Sequence, residues 1–201
     1  AITVRNCRFE NNEGESGASI WAENTDLHLS RTAFVGNRGG SSNALAFRAG
    51  QLTMHECLVQ DNVHTQSAAV MVYNPSPGTV ISHSRFVNNH STGYGHNTLF
   101  VGAQGSGGTP VILSHCLFFG NDMQQTGAVA ASATLALRNC TIVGNHALEV
   151  HGNGENVSGG VVAYANVSLM NTIVWGNTAD HPDLTVAQQN VHGEIEHLGA
   201  R

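Results

Sequence analysis

One eleven-residue pattern occurs seven times along this chain, and that recurrence constrains the fold more than any other feature. The copies are ITVRNCRFENN (2–12), LHLSRTAFVGN (27–37), LTMHECLVQDN (52–62), TVISHSRFVNN (79–89), VILSHCLFFGN (111–121), LALRNCTIVGN (135–145) and VSLMNTIVWGN (167–177). Aligned on the final Asn, they read apolar, any, apolar, two polar, Cys/Thr/Ser, any, apolar, any, any, Asn. Repetition at a period of about 20–50 residues marks a solenoid or another stacked-repeat array. The Cys/Thr/Ser position falls at Cys7, Thr32, Cys57, Ser84, Cys116, Cys140 and Thr172, with spacings of 24 to 32 residues. The extra length lies between copies, in Gly-rich and polar stretches, where an insertion becomes a loop on the flank of the stack.

Within a copy, apolar residues alternate at Leu135 and Leu137, then resume at Cys140 and Ile142. Alternation with period two means strand. The phase slips across Arg138-Asn139, so each copy reads as two short strands meeting at a bend. A weaker repeat precedes most copies: SGASIWA (16–22), SNALAFR (42–48), SAAVMVY (67–73), HNTLFVG (96–102), TGAVAAS (126–132) and SGGVVAY (158–164). It predicts a third strand. Three short strands per turn, stacked in parallel, make an all-β chain: a parallel β-helix of seven to eight rungs, right-handed by the rule for parallel crossovers. Helical period is missing throughout. The whole of 1–201 reads as one domain, a segment of a longer chain or a stacking subunit. Its last rung, 178–201, is degenerate and marked by Leu184, Val186, Gln189 and Val191.

Composition narrows the partners. The eight basic residues are all Arg, against fourteen acids, for a net charge of -6. That balance argues against nucleic acid, which is bound through basic side chains on phosphate, and against an anionic membrane surface. No apolar run is long enough to span a bilayer.

Four copies carry Phe three residues before the final Asn (FENN at Phe9, FVGN at Phe34, FVNN at Phe86, FFGN at Phe118), and several upstream segments open SGA, TGA or SGG. These resemble the FxxN and GGA[ILV] tetrapeptides of polymorphic outer-membrane autotransporter passenger domains. They are similar too to the wider set of right-handed β-helix repeat proteins of bacterial surfaces. The resemblance implies the same right-handed fold, an exterior location and an adhesive or structural role.

The repeated residues have both a scaffold and a functional reading. Asn12, Asn37, Asn62, Asn89, Asn121, Asn145 and Asn177 form a ladder, because an amide has donors and an acceptor and can bond its neighbour on the next rung. A scaffold ladder is the better reading than a row of ligand-binding amides. The cysteines share a slot with Thr32, Ser84 and Thr172 and read as small buried hydrophobes; Cys116 and Cys140, on adjacent rungs, are close enough that a bridge stays open. His83 and His115 share one register with His55 one residue off it, an arrangement that reads as exposed corner histidines more than as a metal site. No cofactor or metal is expected. In the third strand an outward row, Ile20, Ala46, Met71, Phe100, Ala130 and Val162, is apolar where a wetted sheet face should be polar. It is either a partner surface or a face covered by a loop of the same chain, such as 102–109 or 147–159.

Parallel β-helices also host polysaccharide lyases and glycosidases, which need converging carboxylates. Here the acids are scattered, and no acid recurs in one register over adjacent rungs. Trp175 and Tyr164 are the late aromatic candidates for a carbohydrate surface. The expectation is a non-enzymatic extracellular β-solenoid with structural and adhesive roles. Its partners would be other protein subunits or a ligand on a host or cell surface. The alternatives are end-to-end stacking into a fibre and a polysaccharide-binding or -degrading β-helix.

Overall fold

The computed structural model describes residues 1–16, 19–42, 44–104, 109–124, 126–148, 157–181 and 183–198. The chain is a parallel β-solenoid. Its strands lie in an 18-stranded and a 7-stranded sheet, every pair parallel. Seven strands in the smaller sheet mean six steps, so the coil makes about six turns, slightly fewer than the seven to eight rungs expected.

Several rungs hold four strand segments, while in two others the last two merge into single strands, Val63–Pro75 and His90–Gly102, leaving the expected three. One rung runs Leu27–Ser30, Ala33–Val35, Arg38–Ser41 and Leu45–Gly50, and each segment pairs with the next rung at an offset of 25 residues. The unforeseen segment follows the ladder Asn. Its inward column begins Gly14, Gly39, His64 and ends Ala147, Ala179. Such small and polar residues show no hydrophobic alternation, so the strand is silent in sequence.

The bends have a backbone cause. The residue before the Cys/Thr/Ser slot has positive φ on successive rungs: Glu56 52°, His83 50°, His115 55°, Asn139 53° and Asn171 48°. This is the slip read at Arg138-Asn139. A second left-handed residue sits just before each ladder Asn, at Asn11, Gly36, Asp61, Asn88, Gly120, Gly144 and Gly176. Gly, Asn and Asp tolerate that conformation best, which explains the GN, NN and DN endings of the repeat.

The core is a narrow column between the sheets. Leu27, Leu29, Leu52, Met54, Ile81, Leu113, Leu135 and Leu137 enter it from the larger sheet, and Phe34, Val59, Phe86, Phe118 and Ile142 from the smaller. Phe86 and Phe118 stack with centroids 4.4 Å apart, and Phe9 and Phe34 at 5.2 Å.

After Asn177 the structure departs from the expected strand-only rung. Val186–Asn190 is a short α-helix. Thr185 caps it, accepting from the Gln188 N–H at 3.3 Å, while the Gln188 side chain accepts from the Thr185 N–H at 3.0 Å. This is a capping box, T-x-x-Q in the sequence, and Gln189 belongs to the helix instead of a strand.

Candidate interaction surfaces

The Asn ladder is a closed hydrogen-bond system. Each Oδ1 accepts both the backbone N–H and the Nδ2 of the preceding ladder Asn: Asn62 to Asn89 at 3.2 and 2.9 Å, Asn89 to Asn121 at 3.0 and 2.9 Å, Asn145 to Asn177 at 3.0 and 2.8 Å. The second Nδ2 proton goes to a carbonyl one rung back, as from Asn89 to Val59 O at 3.0 Å. Asn37 through Asn177 are buried. With donors and acceptor spent and no solvent access, the ladder offers a ligand nothing. The ladder has an eighth member outside the repeat: the helix places Asn190 so that its Oδ1 accepts from Asn177 N and Nδ2, both at 3.1 Å, and its own Nδ2 turns back to Val186 O at 2.8 Å. Asn190 lies only 13 residues beyond Asn177, outside the repeat spacing.

The outward row of the third strand needs a correction. Ile20 pairs with Leu45, and Trp21 with Ala46. The row is therefore Trp21, Ala46, Met71, Phe100, Ala130, Val162, while Ile20 packs against the core. The first two rungs keep the 25-residue offset here, whereas matching Ser16 to Ser42 imposes 26. Nor is the row one open face. Trp21 is 51% exposed, Met71 and Phe100 are half-buried, and Ala46, Ala130 and Val162 are buried. The two loops considered as covers lie partly outside the described residues, at 105–108 and 149–156.

The histidine corner is a stack. His83 and His115 lie face to face, 4.7 Å apart at 8°, and His55 meets His83 edge-on at 5.2 Å. Parallel rings point their in-plane lone pairs side by side and do not converge on one ion. Among the described residues no group of three or more His, Cys, Asp or Glu is placed to hold a metal.

A second cluster went unread because its members belong to different repeats. His90, Asp122 and His146 are in register on successive rungs. Asp122 faces His90 Nδ1 at 3.2 Å and His146 Nδ1 at 3.3 Å, and His146 Nε2 faces Asp180 Oδ1 at 3.0 Å. Each ring nitrogen of His146 thus faces a carboxylate oxygen.

The Cys/Thr/Ser slot is a hydrogen-bonding position. Ser84 Oγ donates to Ser82 O at 2.8 Å and Thr172 Oγ1 to Met170 O at 3.1 Å, and the Cys57, Cys116 and Cys140 thiols point at the equivalent carbonyls at 3.4 Å. All four cysteines are free, and only Cys7 is exposed. Burial pushes the Cys57 thiol up; the hydrogen bond between the Cys116 and Cys140 thiols raises the first and lowers the second, so what protects all three alike is burial. Thiolate is the reactive form. A water-soluble aromatic disulfide reagent should titrate one thiol at once in the native protein and three more only in denaturant. A second fast equivalent would show that the slot is not closed.

One surface passed unread as a unit. The smaller sheet turns two columns outward, Arg8, Ala33, Leu58, Arg85, Leu117, Thr141, Ile173 and Glu10, Val35, Gln60, Val87, Phe119, Val143, Trp175. The early rungs are mixed and carry an Arg8–Glu10 ion pair at 2.7 Å. The late rungs are apolar: Phe119 is 48% exposed, Ile173 59% and Trp175 70%. The signal was in the sequence, as the residue before each GN ending, but it emerges only when the copies are read down a column.

Neither a protein-family model nor a curated protein matches the chain. Among solved structures it is similar to a trypsin-treated form of QnrB1, a plasmid-mediated fluoroquinolone resistance protein. The two share 13% identity over 98% of this chain and 91% of that one, with a TM-score of 0.24. So low a score carries no argument about function.

Proposed function

We propose that this solenoid is a non-catalytic binding element of a bacterial exterior, and that it makes contact through the late half of the smaller sheet's outer face. One observation carries the reading: Leu117, Phe119, Val143, Ile173 and Trp175 form an outward apolar surface on the late rungs, broken only by Thr141. Exposed apolar patches of this kind mark interaction sites. The exterior placement rests on the FxxN and Gly-rich tetrapeptides. The non-catalytic reading rests on the scatter of the acids over the rungs.

Lateral contact is favoured over end-to-end stacking, because the exposed apolar residues line the outer face of the sheet. The mass of the purified chain against concentration tests this, with negative-stain images of the same samples: rods that lengthen one subunit at a time would overturn it. For the surface role, labelled protein added to envelopes of producing cells should bind, and the Phe119→Ser/Trp175→Ser double variant about tenfold less. Equal binding by both would remove the face from the account.

A further inference from the structure

We infer that the apolar face of the smaller sheet takes a neutral, extended, β-linked pyranose polymer lying along the solenoid axis. This rests on the contact-surface reading above. Size is the first argument. Strands of three residues make the face about 10 Å wide, and four strands from Val87 to Trp175 make it about 15 Å long. The side chains on that strip offer on the order of 500 Å² of accessible surface, which still falls short of the ~800 Å² per partner of a specific protein–protein interface. A linear polymer needs no more width than this.

Periodicity is the second. Phe119, Val143 and Trp175 are in register on successive rungs, so the two aromatic side chains stand two rungs, roughly 9.6 Å, apart with a short side chain between them. A β-1,4-linked pyranose chain advances by about one strand spacing per ring and turns over at each linkage. Every second ring therefore shows the same C–H face, at the separation of Phe119 and Trp175. Apolar C–H faces are what an aromatic ring accommodates, and the polar groups of the sugar stay at its rim.

The borders agree. On one side the next column is Gly120, Gly144 and Gly176, and a methyl group placed on Gly176 meets no atom within 4 Å. Nothing on that side stands in the way of a flat ligand beside Trp175. The other side carries His115, Asn139 and Asn171, all exposed, with Asn139 Nδ2 3.3 Å from His115 Nε2. Amides and imidazole both donate and accept, as hydroxyl groups require. The outward residues from Leu117 to Trp175 are uncharged, so an ionic polymer gains nothing over a neutral one.

The test is retention of the purified chain on microcrystalline cellulose, chitin beads and insoluble β-mannan, at low and high salt, with melting curves to confirm each variant folds. At least one polymer should retain the wild type, insensitive to salt. Trp175→Ala and Phe119→Ala should each weaken retention about tenfold, and Trp21→Ala, on another face, should leave it unchanged. No retention on any of the three, or equal retention by all variants, overturns the inference. Sedimentation of the same proteins separates this failure from that of the contact reading. Self-association lost in Trp175→Ala without polymer retention would make the occupant a second copy and keep the face as a contact surface. A chain that neither binds polymer nor self-associates, and whose envelope binding is unchanged in Trp175→Ala, removes both.

Discussion

Asn89→Asp should destabilise the protein more than Asn89→Ala at neutral pH, and the order should narrow or invert in acid. In the native ladder Asn89 Oδ1 accepts from Asn62 N and Nδ2, and Asn89 Nδ2 donates to Val59 O and Asn121 Oδ1. Alanine orphans the two buried donors of Asn62 and removes one of the bonds to the Val59 carbonyl, for a cost of about 4 kcal/mol at ~1–3 kcal/mol per group. Aspartate keeps the acceptor but sets a fully buried charge against two other acceptors. Burial raises the pKa of that carboxyl in the folded state above its unfolded value of about 3.9. The stability it retains is then fully present below about pH 4 and is lost as pH rises through the folded pKa. Urea unfolding of wild type and both variants at pH 7 and pH 4 measures this. Asn12→Ala removes only the Nδ2 bond to Asn37 Oδ1, at a half-buried site, and keeps the backbone one, so it should cost at most about 1 kcal/mol. Equal losses at Asn12 and Asn89, or an Asp variant indifferent to pH, would mean that the ladder amides are not what holds the rungs in register.

The same ladder shows why much of this fold was legible and where legibility stopped. Asn recurs because each rung presents the next with the same unmet N–H, so one chemical requirement is written seven times. The Cys/Thr/Ser slot and the left-handed corners repeat for the same reason. The segment after each Asn repeats in backbone only. Its inward positions range from Gly39 to His64 and Ala147, so periodicity had nothing to detect. Ile20 was misplaced by a one-residue shift, which in a strand exchanges inside for outside. The His90–Asp122–His146–Asp180 chain and the Phe119–Trp175 face come from columns across rungs, and a column becomes visible only once the register is known. Asn190 arrives through a helix that the repeat does not contain, announced only by Thr185 and Gln188.

Gly159→Ala should cost more than about 3 kcal/mol, as overpacking against unyielding neighbours does, and should do so without any conformational conflict at the residue itself. An added methyl would stand 2.7 Å from Asn145 O on its own rung and closer still to Thr178 O on the next, both backbone atoms. Gly159 N–H donates to Gln189 O at 2.9 Å, and its carbonyl accepts from Ala128 N at 3.0 Å, so the residue cannot back away without breaking the sheet. Gly160 has the same relation to Asn190, whose carbonyl sits where a side chain would begin. The Gly-Gly pair of the SGG opening is thus what lets the helix descend far enough for Asn190 to join the ladder. Gly176→Ala is the matched control: its φ is +62° but nothing lies within 4 Å of the new methyl, so only the left-handed penalty of about 1 kcal/mol applies. Thermal melts of the two variants decide between space and conformation. If Gly176→Ala is the more damaging, the glycines serve the turns, and the close approach of rungs at Gly159 is not what brings Asn190 into place.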